Sequence, residues 1–195
     1  MKVLFAAAEV APFSKAGGLA DVVGSLPKYL EKDAEIAVFT PLHGLIDINK
    51  YGIKELENSA LWLTFNGKGH KFRLFMCKLP GTDINVFFVH NDWYFTCFRD
   101  VYPKWLDPEY EHERYIAFSL AVMEYAKLLN FKADVIHAND WHTAMIPVYL
   151  HSNYRYDEFW KNTKTVFEIH NLAYQGVWFE SVLDFANMRK DIVYN

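Results

Sequence analysis

Apolar positions along this chain switch between two periods. Val3–Ala8 is a short unbroken apolar run, the pattern of a strand covered on both faces. After a loop, Leu19, Val22, Val23, Leu26 and Leu30 return at three- and four-residue spacing, so a helix is expected that ends near Leu30–Asp33. Glu35–Thr40 reads as a second strand closed by Pro41, and residues 41–52 form a loop with His43 and Gly44. Strand, helix and strand joined this closely make a right-handed βαβ unit.

The period then drops to two. Leu61, Leu63 and Phe65 alternate with Trp62 and Thr64, Asn66-Gly67 signals a turn, and Phe72, Leu74 and Met76 alternate again. Pro80-Gly81 turns the chain into a third run, Ile84–Val89. These runs predict a three-stranded β-meander over roughly residues 61–90, its last strand joining the main sheet. Residues 90–105 are aromatic and polar without a period and read as a long loop with a short helical turn. From Tyr115 onward, Phe118, Val122, Tyr125 and Leu129 keep helical spacing, while Ile116, Leu120 and Met123 widen the apolar face. That helix is largely buried, is preceded by acids from Glu109 to Glu113 that suit its positive end, and stops at Asn130. Ala133–His137 is a strand, Ala144–Leu150 a helix, Lys164–Ile169 a strand and Val182–Lys190 helix-like, with residues 191–195 approaching another strand. One α/β domain is expected over residues 1–195: a Rossmann-like open, mostly parallel sheet with helices on both faces and an inserted meander.

In such sheets ligands bind beyond the carboxyl ends of the strands. Three loops there carry chemistry: one with Glu9, Lys15, Gly17 and Gly18, one with Asp140, Trp141 and His142, and one with His170 and Asn171. The first aims backbone N–H groups and a positive helix end at an anion, and Lys15 adds a charge. A glycine pair also serves a tight turn, and neither G-x-G-x-x-G nor P-loop spacing is present, which argues against a dinucleotide oxidoreductase or an NTPase. Asp140-Trp141 sets a carboxylate beside an apolar face, suited to a sugar ring, although an aspartate there also serves as a helix cap. His170-Asn171 offers an imidazole and an amide that can read hydroxyls or satisfy buried backbone groups. His137, Asp140 and His142 lack the spacing of metal ligands, and no Ser/His/Asp or Cys/His arrangement supports nucleophilic hydrolysis.

Composition narrows the class without changing the pattern. With 52% hydrophobic, 17% aromatic and 23% charged residues in 195, the chain is globular. A net charge of -4 gives no basic footprint for nucleic acid or an anionic membrane. Cys77 and Cys97 form no disulfide framework, the apolar start is too short for a signal peptide, and no run approaches the ~18 residues of a membrane span. A cytoplasmic protein is expected.

Four segments, in order, carry a family resemblance. Lys15-Ala-Gly17-Gly18-Leu19-Ala-Asp21-Val resembles the K-x-G-G-L-x-D-V signature of bacterial glycogen synthases and plant starch synthases. Glu111–Tyr115 resembles the opening of that family's long helix, His137-Ala-Asn-Asp140-Trp141-His142 its H-x-H/N-D-W-H segment, and His170–Gly176 its H-N-L-A-Y-Q-G segment. The resemblance implies one half of a GT-B retaining glycosyltransferase that moves glucose from ADP-glucose to the non-reducing end of an α-1,4-glucan, with no metal and no cofactor. It implies Lys15, Gly17, Gly18 and Asp21 on the donor side, Asp140 and His170 as catalytic residues, and Glu9, Trp141, His142 and Asn171 around the sugar and acceptor. A tyrosine contact is implied at position 95, but the residue there is Phe95, with Tyr94 beside it. Asn139 stands where the family often has histidine, and the joins at Lys32–Ala34 and Pro80-Gly81 are shorter than usual. Because the resembling enzymes are more than twice as long, a C-terminal nucleotide-binding domain with an E-x7-E segment is expected outside this chain, and the chain alone is expected to be inactive. The alternatives are a non-catalytic glucan-binding module of the same fold and a GT-B transferase with another acceptor.

Overall fold

A computed structural model describes residues 1–178 and 180–188. Within them the alternating and continuous apolar runs become one sheet. Strand β1 (Lys2–Ala6) leads to helix α1 (Gly18–Leu30), then β2 (Glu35–Pro41), a two-residue β3 (Lys54–Glu55), β4 (Leu61–Phe65), β5 (Lys68–Lys78) and β6 (Asn85–His90). A π-helical turn at Asp92–Thr96 precedes α2 (Pro108–Leu128), β7 (Val135–Asn139), a 3-10 turn at Trp141–Thr143, α3 (Met145–His151), β8 (Lys164–Glu168) and α4 (Ser181–Phe185). The strand order is β3-β5-β6-β2-β1-β7-β8, with β4 paired to β5. From β6 to β8 all neighbours are parallel, whereas β5 runs antiparallel to its partners.

The period-two rule explains how β1 is covered on both sides. Leu4, Ala6 and Ala8 point into a core shared with Phe39, Ile136 and the α2 residues Phe118, Val122 and Tyr125. Val3, Phe5 and Ala7 point the other way, against Leu19 and Val23 of α1 and Val38 and Phe88. The meander occurs as expected, and its last strand, β6, lies parallel to β2 in the main sheet. Strand β3 carries no apolar period, being Lys54 and Glu55 exposed on the sheet edge, and was not legible.

Boundaries move where burial and hydrogen bonding part company. The strand expected to reach Ala8 ends at Ala6, although Ala7 and Ala8 stay fully buried. The strand expected from Ala133 starts at Val135. Helix α4 covers Ser181–Phe185, and the expected residues 189–190 of that helix and the approach to a further strand at 191–195 lie outside the described residues. Among the described residues no helix is long and apolar enough to cross a membrane.

Candidate active site

The parallel registers bring three strand ends together. Ala6 of β1 lies opposite Ala138 of β7, and Asn139 of β7 lies opposite Glu168 of β8. The loops that follow these residues therefore leave the same edge of the sheet, as the order of elements predicted.

The first loop folds around Glu9. This carboxylate is almost fully buried and accepts hydrogen bonds from the backbone N–H of Ala16 and from that of Gly17, the latter at 3.1–3.2 Å. Glu9 thus shapes the Lys15–Gly18 turn by standing in for an anion on two of its amides. Gly17 is the N-cap of α1, and no side chain caps the helix. A Cβ on Gly18 would meet nothing within 4 Å, so the side of the turn at the helix start is open. Free N–H groups and a positive helix end there favour an anion. Lys15 Nζ lies 2.7 Å from both carboxylate oxygens of Asp21, and both side chains are more than half exposed. An ion pair this wet is worth about 0–1 kcal/mol and is readily exchanged for another anion. Behind the turn, Gly24 meets the loop so closely that a Cβ would stand 2.5 Å from the Ala11 carbonyl oxygen, which holds α1 against the loop.

The second and third loops lock to one another. Asp140 has φ 55° and ψ 177°, a region open in practice to glycine alone. Its N–H donates to the Glu168 carbonyl at 2.8 Å, and its Oδ1 accepts from the His170 N–H at 2.7 Å. The turn after it is tied down by Thr143, whose hydroxyl donates to the Asn139 carbonyl at 2.9 Å. Trp141 lies 5.2 Å from Tyr115, ring to ring, and the third loop comes down on it at Gly176. There φ is +60° and a Cβ would stand 2.7 Å from the Trp141 Cβ, which is the physical reason for glycine at the end of the H-N-L-A-Y-Q-G segment.

The expected sugar-side residues take different stations. His142 is buried between Tyr102, at 5.1 Å, and Tyr115, at 4.5 Å. Burial, with help from Arg114 and His43, pushes its pKa down to about 3, so the ring is neutral. His170 Nε2 is 3.0 Å from Asn139 Oδ1. Asn171 is exposed, and its Oδ1 accepts from the Ala173 N–H at 2.9 Å, bending the loop. Phe95 is fully buried in the core beside Phe118 and His43, so position 95 offers no contact to a sugar; Tyr94 also turns inward, toward His70. His137 points to Glu168 at 3.2 Å, and among the described residues no cluster of His, Cys, Asp and Glu could hold a metal ion.

Two residues of the site carried too little signal to be named in advance. Tyr102, in the aperiodic aromatic stretch, has its pKa raised by burial and by Tyr115, Glu9 and Asp140. A carboxylate from each wall thus adds to burial in keeping the Tyr102 hydroxyl protonated. Arg114 is fully buried, donates from Nε to the Tyr94 carbonyl at 2.7 Å and lies 4.7 Å over the Phe98 ring. Its charge also acts on His43, whose pKa burial lowers to about 4.

Residues 2–194 match the family model of the starch synthase catalytic domain. The glycogen synthase of Thermotoga maritima is 43% identical over 199 residues, covering 100% of this chain and 40% of that protein. The glycogen synthase of Thermosipho africanus is 40% identical over 200 residues, with the same coverage of each. The catalytic domain of starch synthase IV from Arabidopsis thaliana, solved bound to ADP and acarbose, superposes with a TM-score of 0.85 at 24% identity, over 100% of this chain and 38% of that one, which shows a shared fold. This chain spans about 40% of the length of the relatives it matches. On this match and these identities, the chain belongs to the starch synthase catalytic domain family.

Proposed function

We propose that this chain forms the acceptor-side wall of a retaining glucosyltransferase that moves glucose from ADP-glucose to the non-reducing end of an α-1,4-glucan, acting in the cytoplasm without a cofactor. The observation that carries the reading is Asp140, a carboxylate held in a strained backbone conformation at the meeting of two strand-end loops. Strain of this kind costs about 1–3 kcal/mol and gathers where function requires a fixed group. With Oδ1 committed to His170, Oδ2 is left to accept from a sugar hydroxyl, and Trp141 offers the adjoining apolar face.

On the donor side, departure of the nucleoside diphosphate builds negative charge. Lys15, released from Asp21, and the uncapped start of α1 at Gly17 and Gly18 supply positive potential for it. Glu9 keeps the turn in shape, so its contribution is to the donor loop rather than to a sugar hydroxyl. A second Rossmann-like lobe would close over this edge and complete the nucleotide pocket. That the starch synthase IV domain was solved with ADP and acarbose supports the pairing of a nucleotide with an oligosaccharide.

The test is replacement of the corresponding segment of Thermotoga maritima glycogen synthase by this chain. The folded chimaera is expected to transfer glucose from ADP-glucose to maltooligosaccharides with retained α configuration, and Asp140→Ala is expected to abolish transfer. A folded chimaera that binds both substrates without transfer contradicts the proposal, as does robust transfer by the 195-residue chain alone.

A further inference from the structure

Behind His170 lies a run of polar side chains that the reading above does not use. Asn139 is fully buried. Its Nδ2 lies 3.1 Å from the Ala6 carbonyl oxygen, 3.1 Å from the His137 carbonyl oxygen and 3.2 Å from His137 Nδ1. Its Oδ1 lies 3.0 Å from His170 Nε2. Glu168 Oε2 lies 3.2 Å from His137 Nε2 and 3.8 Å from His170 Nε2, so a second acceptor faces the His170 Nε2 position.

These contacts assign the protons. A carbonyl oxygen can only accept, so the two that face Nδ2 require the NH2 group of Asn139 on that side. A flipped amide would set its oxygen against both. The opposite end of the amide is then an oxygen, which can only accept, so His170 Nε2 must carry the hydrogen. A neutral His170 held this way has its lone pair on Nδ1. With both NH2 hydrogens on the carbonyls, His137 Nδ1 can only share one of them, so it carries no hydrogen of its own and His137 Nε2–H donates to Glu168. Asp140 fixes the other end of His170 by accepting its backbone N–H.

We propose that Asn139 is a positioning residue for His170: its carboxamide, oriented by the Ala6 and His137 carbonyls, holds the imidazole as the Nε2–H tautomer and presents Nδ1 as an acceptor for a sugar hydroxyl. His137 and Glu168 support the amide from behind. The hydroxyl contact rests on the sugar-site reading of His170, whereas the tautomer rests on the hydrogen bonds alone.

Long-range 1H–15N spectra of the labelled chain, recorded where histidine is neutral, read the tautomer of each ring. His170 is expected as Nε2–H in the unaltered chain. Asn139→Ala is expected to turn the His170 signals into those of a mixture of tautomers. Glu168→Ala leaves both backbone carbonyls in place to orient Asn139, so it is expected to alter His137 and, although it removes a carboxylate 3.8 Å from His170 Nε2, to keep His170 as the Nε2–H tautomer. A His170 ring protonated at Nδ1 in the unaltered chain would overturn the proposal, and that spectrum decides even where Asn139→Ala fails to fold. An unchanged His170 tautomer in folded Asn139→Ala overturns it equally. Addition of maltooligosaccharide then separates the two readings. A shift at His170 Nδ1 supports the hydroxyl contact, while an Nε2–H ring whose Nδ1 does not respond overturns the contact and supports the positioning by Asn139.

Discussion

The two walls of the cleft are built on opposite principles. The wall after β1 presents exposed, exchangeable charge: Lys15 and Asp21 pair in solvent, and the start of α1 has no side-chain cap. The wall after β7 and β8 holds its central groups by buried contacts: Asp140 to His170, Asn139 to His170, and His142 packed between two tyrosines. The difference matches the two kinds of ligand proposed. A diphosphate needs charge that can be given up by one partner and taken by another, while the reacting sugar needs groups whose positions do not change. Function is therefore expected to depend on both walls, but stability to depend little on the exposed Lys15–Asp21 pair.

Acid should have the largest effect, because it acts on two buried rings, His142 in the second wall and His43 behind the first, where its Nε2 lies 2.8 Å from the Ala8 carbonyl oxygen. His43 and His142 are neutral in the fold, with pKa values lowered to about 4 and about 3, below the ordinary 6.5. Above that ordinary value neither state binds a proton, so stability is level. Below it the unfolded chain takes up protons that the native chain refuses, and stability falls as pH drops from 6.5 toward 4. The loss is about 1.4 kcal/mol per pH unit for each ring, or about 3 for the pair. Urea denaturation across this range measures it, and a flat profile would contradict the buried neutral rings.

Gly176→Ala should come next, because the added Cβ falls 2.7–2.8 Å from Trp141 at a φ of +60°. A loss of about 2–3 kcal/mol is expected in the same denaturation experiment, with a change in tryptophan fluorescence as Trp141 shifts. Asp140→Gly should cost little. Relief of about 1–3 kcal/mol of backbone strain offsets the charge-assisted hydrogen bond to the His170 N–H, worth about 1.5–3 kcal/mol, so the net change in stability should be small. Transfer by the chimaera should nevertheless fall about 100-fold or more, since the fixed carboxylate is gone. Equal loss of stability and transfer would mean that Asp140 serves the fold alone. At the small end, Lys15→Ala should change stability by no more than about 0.5 kcal/mol, while weakening ADP-glucose binding as measured by calorimetry.

How much of this was legible in the sequence follows the range of each interaction. The apolar spacing of Leu19, Val23 and Leu26 defined α1, and the runs at Val3–Ala8 and Ile84–Val89 defined inner strands, because burial repeats at the element's own period along its whole length. The three strand-end loops were placed on one edge from element order alone. What Glu9 does was not legible, since its partners are backbone amides whose direction only the folded turn sets. Asn139 stood out as a departure from the family pattern, but its link to His170 spans two strands that meet in register. Tyr102 gave no periodic signal at all. Phe95 shows the limit of a carried-over role: the implied tyrosine is absent from that position, and the side chain there is core.

The central claim is that the open turn at the start of α1 receives the donor's diphosphate. Titration of the 15N-labelled chain with ADP-glucose, followed through backbone amide shifts, tests it directly. The account predicts that the largest shifts fall at Gly18 and Leu19, with smaller ones at Lys15, Asp21 and the Glu9-bound amides of Ala16 and Gly17, and that Lys15→Ala weakens the response. Shifts centred instead on the cavity of about 630 Å³ between α3 and β8, lined by Arg155, Trp160 and Lys164, would contradict it.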